Sequence, residues 1–220
     1  MNRAKSQRRF VFACLAPAVI LVALFMFWPT VNVFRMSLYR MGGITNRKEF
    51  IGLQNFKTLM EDKNFLEAMQ NTILIIVMVM IFTIVFAILF AAILQRGKFK
   101  GKNFFRVIFY IPNILSIVVI GGIFGAIYDP SNGLLNTFLE AVHLDFLTHK
   151  WMGEPKIVIY SIIFALVWQA IGYYMVMYMS GMSAIPEDLY EAASLDGSSE
   201  INTFFTVTLP LIWTNIRTTL

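Results

Sequence analysis

Ile73-Leu74-Ile75-Ile76-Val77-Met78-Val79-Met80-Ile81-Phe82-Thr83-Ile84-Val85-Phe86-Ala87-Ile88-Leu89-Phe90-Ala91-Ala92-Ile93-Leu94 contains no charged residue. A hydrocarbon core about 30 Å thick needs roughly 20 apolar residues in helical form, and this run supplies them. Three other runs do the same: Phe10–Trp28, Val107–Tyr128 and Ile157–Met182. The chain as a whole is 58% hydrophobic and 14% charged, against about 25% charged in soluble domains. A buried soluble helix seldom runs so far without a charge. The composition therefore predicts an all-α, polytopic transmembrane helical bundle.

The net charge of +5 is arranged as a topology signal and not as a nucleic-acid surface. Arg3, Lys5, Arg8 and Arg9 precede the first run, and Arg96, Lys98, Lys100, Lys102 and Arg106 crowd the link between the second and third. Short basic loops resist translocation, which places both segments in the cytoplasm. The segments 29–72 and 129–156 mix both signs and read as external. The first run ends in Phe25-Met26-Phe27-Trp28-Pro29, with no small-residue cleavage site, so it reads as a retained helix. Cys14 is the single cysteine and the two histidines, His143 and His149, share an external loop, which leaves no set of metal ligands.

These features divide the chain into three parts. Residues 1–28 form a cytoplasmic tail and first span, 29–72 an external loop, and 73–220 a core of three spans with a cytoplasmic loop at 183–210 and the start of a fifth span. In the external loop, Phe56, Leu59, Met60 and Phe65 lie near helical spacing and suit a helix along the membrane surface. An ordinary packed loop helix fits them as well. In the third span, Pro112 is placed to kink the helix, and Gly121, Gly122 and Gly125 to let a neighbour approach closely. The fourth span is the most polar. Gln169, Tyr173, Tyr174 and Tyr178 are candidates for lining a pathway for a polar solute, by hydrogen bonding and by stacking on a sugar face. Interhelical hydrogen bonding and an aromatic belt are the plainer explanation. No span carries a charged residue at its middle, which weighs against proton or sodium coupling and implies an energy source outside the spans.

The loop that follows is the other informative stretch. Pro186 suits a helix start, Glu187 and Asp188 complement the positive end of the helix dipole, and Gly197 is placed to end the helix in a left-handed turn. Ser198 or Ser199 then caps a second short helix, and Pro210 marks the return toward the bilayer. Leu189, Tyr190, Leu195, Phe204 and Phe205 make the loop unusually apolar for a cytoplasmic segment, as a contact surface would be.

Tyr190-Glu191-Ala192-Ala193, Asp196-Gly197 and Leu209-Pro210, at these intervals, resemble the EAA loop of permease subunits of binding-protein-dependent ABC importers. The pattern has an Ile where this chain has Val207. Trp28-Pro29, Ser37-Leu38-Tyr39, the stretch Phe50–Phe56, Asn71-Thr72, Asp129-Pro130 and Gly133-Leu134-Leu135-Asn136 extend the likeness to the carbohydrate-importer branch, of maltose and glycerol-phosphate type. The resemblance implies a type I importer permease in the plasma membrane with its N-terminus cytoplasmic. Tyr190, Glu191, Ala192, Ala193, Asp196, Gly197, Leu209 and Pro210 would then couple it to an ATPase. The implied partners are a second permease subunit, a pair of nucleotide-binding ATPases that hold ATP and Mg, an external solute-binding protein and membrane lipid. The subunit itself would have no enzymatic activity and no cofactor, and no Walker-type phosphate loop occurs in it. Members of the branch continue through two further spans, whereas this sequence stops at Leu220, so the resemblance implies a C-terminally truncated bundle. A non-transporting membrane scaffold or receptor that docks a cytoplasmic protein through the same loop is the competing reading.

Overall fold

A computed structural model describes residues 2–41, 48–97 and 100–219. Lys98, used in the charge argument, lies outside the described residues. The chain divides into two compact units, 1–70 and 71–220. The first unit opens with α1 (Asn2–Val22), which continues through a π-helical turn, Ala23–Phe27, into α2 (Trp28–Met36). From Phe10 to Val31 every residue is exposed or half-buried. The helix thus extends well past Trp28, where the hydrophobic run alone ended it. The π turn has a cause in Pro29. Proline lacks the N–H and its ring crowds the carbonyl four residues back, and the wider turn, closed by the Trp28 N–H on the Ala23 carbonyl, makes room for it.

The segment expected as a plain external loop has structure of its own. Strands β1 (Tyr39–Met41) and β2 (Lys48–Phe50) pair antiparallel, with Tyr39 opposite Phe50. Helix α3 (Gln54–Glu61) follows. Gly52 turns the chain at φ +58, and Asn55 donates from Nδ2 to the carbonyls of Ser37 (2.8 Å) and Tyr39 (3.2 Å). The Gly52-Leu53-Gln54-Asn55 motif is therefore the staple that closes the hairpin onto the helix. Phe56, Leu59 and Met60 sit exposed on α3, whereas Phe65 belongs to the next helix.

That helix, α4 (Lys63–Arg96), begins before the expected Ile73 and runs across the boundary between the units. At 1.5 Å per residue it is about 51 Å long, more than a bilayer core requires. Its buried residues are Thr83, Ala87, Ala91 and Leu94. The first three are small and four apart, which is the spacing that lets a neighbouring helix approach in lipid. Ala87, Ala91 and Leu94 pack with Met175, Tyr178, Met179 and Met182 of α8 (Val158–Ser183) and with Ile212 and Ile216 near the C-terminal end.

Between α4 and α8 the expected third span, Val107–Tyr128, is broken. Helix α5 (Lys102–Ile114) and helix α6 (Ile117–Ile127) meet at 104°. The break falls at Leu115 and Ser116 and not at Pro112, which is accommodated in the last turn of α5. Ser116 takes an extended backbone, and its Oγ accepts from the Val119 N–H to start the new helix. Among the described residues, three helices are long and apolar enough to cross a membrane, or four if the bent pair is one span. The close approach comes from a glycine other than the ones expected. A methyl group on Gly172 of α8 would run into the Phe109 carbonyl of α5, with the carbonyl carbon only 2.6 Å away. At Gly121, Gly122 and Gly125 a methyl would meet nothing within 4 Å.

On the far side of α6, the Asp129 carboxylate accepts from the Ser131 (2.9 Å) and Asn132 (2.8 Å) amides, which holds its carboxyl below the usual range. Helix α7 (Leu134–Ala141) follows, with Asn136 buried. Asn136 Oδ1 accepts from Trp151 Nε1 at 2.8 Å, and its Nδ2 donates to the His149 carbonyl at 3.1 Å. Trp151 stacks on Tyr128, whose hydroxyl donates to the Ser161 carbonyl. Asp129 and Asn136, motif positions in the sequence, thus build a folded segment between α6 and α8.

Candidate functional site

After α8 the chain turns once and Pro186, with ψ 138, stands outside α9 (Glu187–Leu195) as its N-cap. Glu187 and Asp188 occupy the first turn, where their charge faces the free N–H groups. The other end is a full Schellman closure. The Gly197 N–H donates to the Ser194 carbonyl (3.1 Å) and the Ser198 N–H to the Ala193 carbonyl (2.9 Å), with Gly197 at φ +76. Ser199 caps α10 (Glu200–Thr203) by accepting from the Asn202 N–H. Ser198 takes a different role. Its Oγ accepts from Asn202 Nδ2 (2.9 Å) and Thr203 Oγ1 (3.0 Å), locking the two short helices at a fixed angle. A second π-helical turn, Phe204–Thr208, leads into α11 (Leu209–Leu211) and α12 (Trp213–Arg217). Like the first, it lies just ahead of a proline, here Pro210.

Between the two short helices lies an open groove of about 490 Å³, lined among others by Ala192, Ala193, Gly197, Asn202, Thr206 and Val207. Glu191, Ala192, Asp196 and Gly197 are exposed and Ala193 is half-buried. An apolar rim surrounds them: Leu195 is 89% exposed, Ile201 73% and Phe205 60%. Side chains this apolar, raised this far from the bundle, make a surface suited to being covered. Ile201 was not singled out from the sequence, although its place one residue after Glu200 in a short capped helix could have marked it.

Of the remaining expected coupling residues, Tyr190 and Leu209 face inward. The Tyr190 ring lies under the Arg96 guanidinium at 4.0 Å, and its hydroxyl is 3.2 Å from Thr208 Oγ1, which is fully enclosed. Leu209 packs against the core. Both residues seat the loop on the bundle, and their side chains do not belong to the exposed surface. Pro210 is exposed. Beside them, Gln95 Nε2 donates to Ser183 Oγ at 2.9 Å, and Lys102 Nζ donates to the Gln95 carbonyl at 3.3 Å. The ends of α4 and α8 and the start of α5 therefore meet directly above α9. Arg96 had been read only as a topology charge, and its contact with Tyr190 is invisible without the fold.

The four pathway candidates divide. Gln169 and Tyr173 share one face of α8, with Gln169 half-buried and Tyr173 48% exposed. Tyr174 is half-buried and meets Tyr173 edge-on at 5.2 Å. Tyr178 is enclosed in the core with its hydroxyl 2.8 Å from Thr219 Oγ1, so it is a packing residue here and offers no surface to a solute.

Residues 84–220 match the family described as the binding-protein-dependent transport system inner membrane component. The chain belongs to that family. The match takes in the C-terminal part of α4 and everything after it, including the groove and its seat. Probable ABC transporter permease protein YurN of Bacillus subtilis is 36% identical over 197 residues, covering 89% of this chain and 67% of that protein. The diacetylchitobiose uptake system permease protein NgcF of Streptomyces coelicolor is 29% identical, covering 95% of this chain and 62% of its own length. The chain thus spans about two thirds of the length of these relatives. Among solved structures, a bacterial alginate ABC transporter in complex with alginate pentasaccharide-bound periplasmic protein superposes with a TM-score of 0.83 at 25% identity, covering 98% of this chain and 72% of the matched one. The protein is accordingly a multi-pass membrane permease of the binding-protein-dependent class, a transport component and not a catalytic one.

Proposed function

We propose that this permease imports a saccharide or similar polar solute delivered by an external binding protein, driven by ATP hydrolysis on a partner ATPase that seats against α9. The observation that carries the reading is the exposed face of Glu191, Ala192, Ala193 and Gly197 beside an open groove with an apolar rim. The alanines keep the surface low enough for close approach, Glu191 supplies a charge for a basic partner side chain, and the Schellman closure presents the face rigidly. ATP and Mg belong to the ATPase pair, and a second permease subunit completes the pathway. The basic residues at the starts of α1 and α5 favour a cytoplasmic side for them, the N-terminus and α9. The solute class rests on the relatives, a diacetylchitobiose uptake permease and an alginate transporter among them. Gln169, Tyr173 and Tyr174 are the residues of α8 free to meet it.

The test is uptake into proteoliposomes holding the full-length permease with its importer partners. Labelled oligosaccharide should enter only with ATP inside and the binding protein outside. Entry without either, or entry driven by a proton gradient alone, contradicts the reading and leaves a secondary carrier, whereas no entry under any condition leaves a scaffold.

A further inference from the structure

Tyr190 is half-buried between two other elements. On one side stands Arg96, the last residue of α4, with its guanidinium 4.0 Å from the ring centroid. On the other stands Thr208, the last residue of the π turn, fully enclosed and 3.2 Å from the tyrosine hydroxyl. A residue whose task was to touch a docked protein would turn its hydroxyl outward, as Glu191 turns its carboxylate next door. The neighbouring contacts extend the same junction: Gln95 to Ser183 at the end of α8, and Lys102 to Gln95 at the start of α5. Beyond it, Ala87, Ala91 and Leu94 carry α4 into close packing with α8 and Ile212. A displacement of α9 is therefore passed to α4 by a stiff aromatic side chain, and to the chain leading into α11 by its hydroxyl.

We propose that Arg96, Tyr190 and Thr208 form an internal latch that transmits the movement of α9 to the spans, with Tyr190 a positioning residue and not a docking contact. The proposal rests on the importer reading given above. Without the latch, α9 still seats on the ATPase, but its movement is partly lost as local rotation about the Pro186 turn and the π turn. ATP is then spent without a matching swing of the spans.

The test uses the full-length permease in its importer complex, reconstituted in liposomes. It measures ATP hydrolysed per oligosaccharide taken up, alongside the amount of ATPase that co-purifies. Tyr190→Ala and Arg96→Gln should keep the wild-type amount of ATPase while the ATP used per solute rises about two- to fivefold, the factor carried by one exposed cation–π contact. Arg96→Lys keeps a cation over the ring and leaves the hydroxyl contact to Thr208 in place, and it should stay near the wild-type ratio. Should Tyr190→Ala fail to insert, Arg96→Gln, at an exposed position, carries the measurement. An unchanged ratio in that variant overturns the latch, as does loss of the ATPase from Tyr190→Ala, which would make the tyrosine a docking residue. Absence of ATP-driven uptake in the wild type overturns the importer reading itself, a result separate from either.

Discussion

At the scale of single residues, two glycines illustrate different constraints. Gly197 has open space around it, but its φ of +76 is strained for any other residue. Gly172 has an ordinary helical backbone and no space, because the Phe109 carbonyl occupies the place of a side chain. A backbone oxygen cannot rotate away as a side chain can. Gly172→Val should therefore cost about 2 kcal/mol or more, as overpacking does, and lower the thermal unfolding midpoint of the purified protein in detergent. Gly121→Ala, where nothing lies within 4 Å, should leave that midpoint unchanged. Gly197 was legible in the sequence, because an acidic helix start and a run of helix formers demand a terminator nearby. Gly172 was not, since its neighbour lies on another helix and only packing brings the two together. The same is true of Tyr190, whose place in the motif suggested a docking contact while Arg96 and Thr208 turned it inward.

At the scale of elements, hydrophobic runs announced the helices but not where they break. Val107–Tyr128 reads as one span kinked at Pro112, because Leu115 and Ser116 carry no breaker of their own. The 104° bend depends on the Ser116 cap, a single hydrogen bond that composition does not reveal. The hairpin of β1 and β2 was likewise hidden in short, mixed-charge sequence. The turn at Asp129 offers a measurable electrostatic signature. Two backbone amides stabilise its carboxylate, so its folded pKa lies below the unfolded value of about 3.9. That stabilisation is complete above the unfolded value and is lost as the pH falls through the folded one. Hydrogen exchange, corrected for intrinsic rates, should show the Ser131 and Asn132 amides protected at pH 5 and released at lower pH. Asp129→Ala should release them at both. Equal protection of the wild-type amides across that range would mean that the carboxylate does not hold the turn.

At the scale of the whole molecule, the bundle and the loop beneath it divide the labour. The spans carry no charge at their centres, which weighs against coupling to a proton or sodium gradient. The junction of α4, α5, α8 and α9 supplies instead a rigid seat for an exposed acidic face. Membership of the binding-protein-dependent transport family agrees with that division. The central claim is that this face, with Glu191 at its middle, is where ATP hydrolysis enters. The direct test compares wild type and Glu191→Arg in proteoliposomes containing the complete importer, measuring ATP hydrolysis stimulated by the loaded binding protein together with solute uptake. Reversing the charge should bring both to background while leaving the permease inserted and its melting behaviour intact. Wild-type uptake and stimulated hydrolysis in Glu191→Arg would contradict the claim.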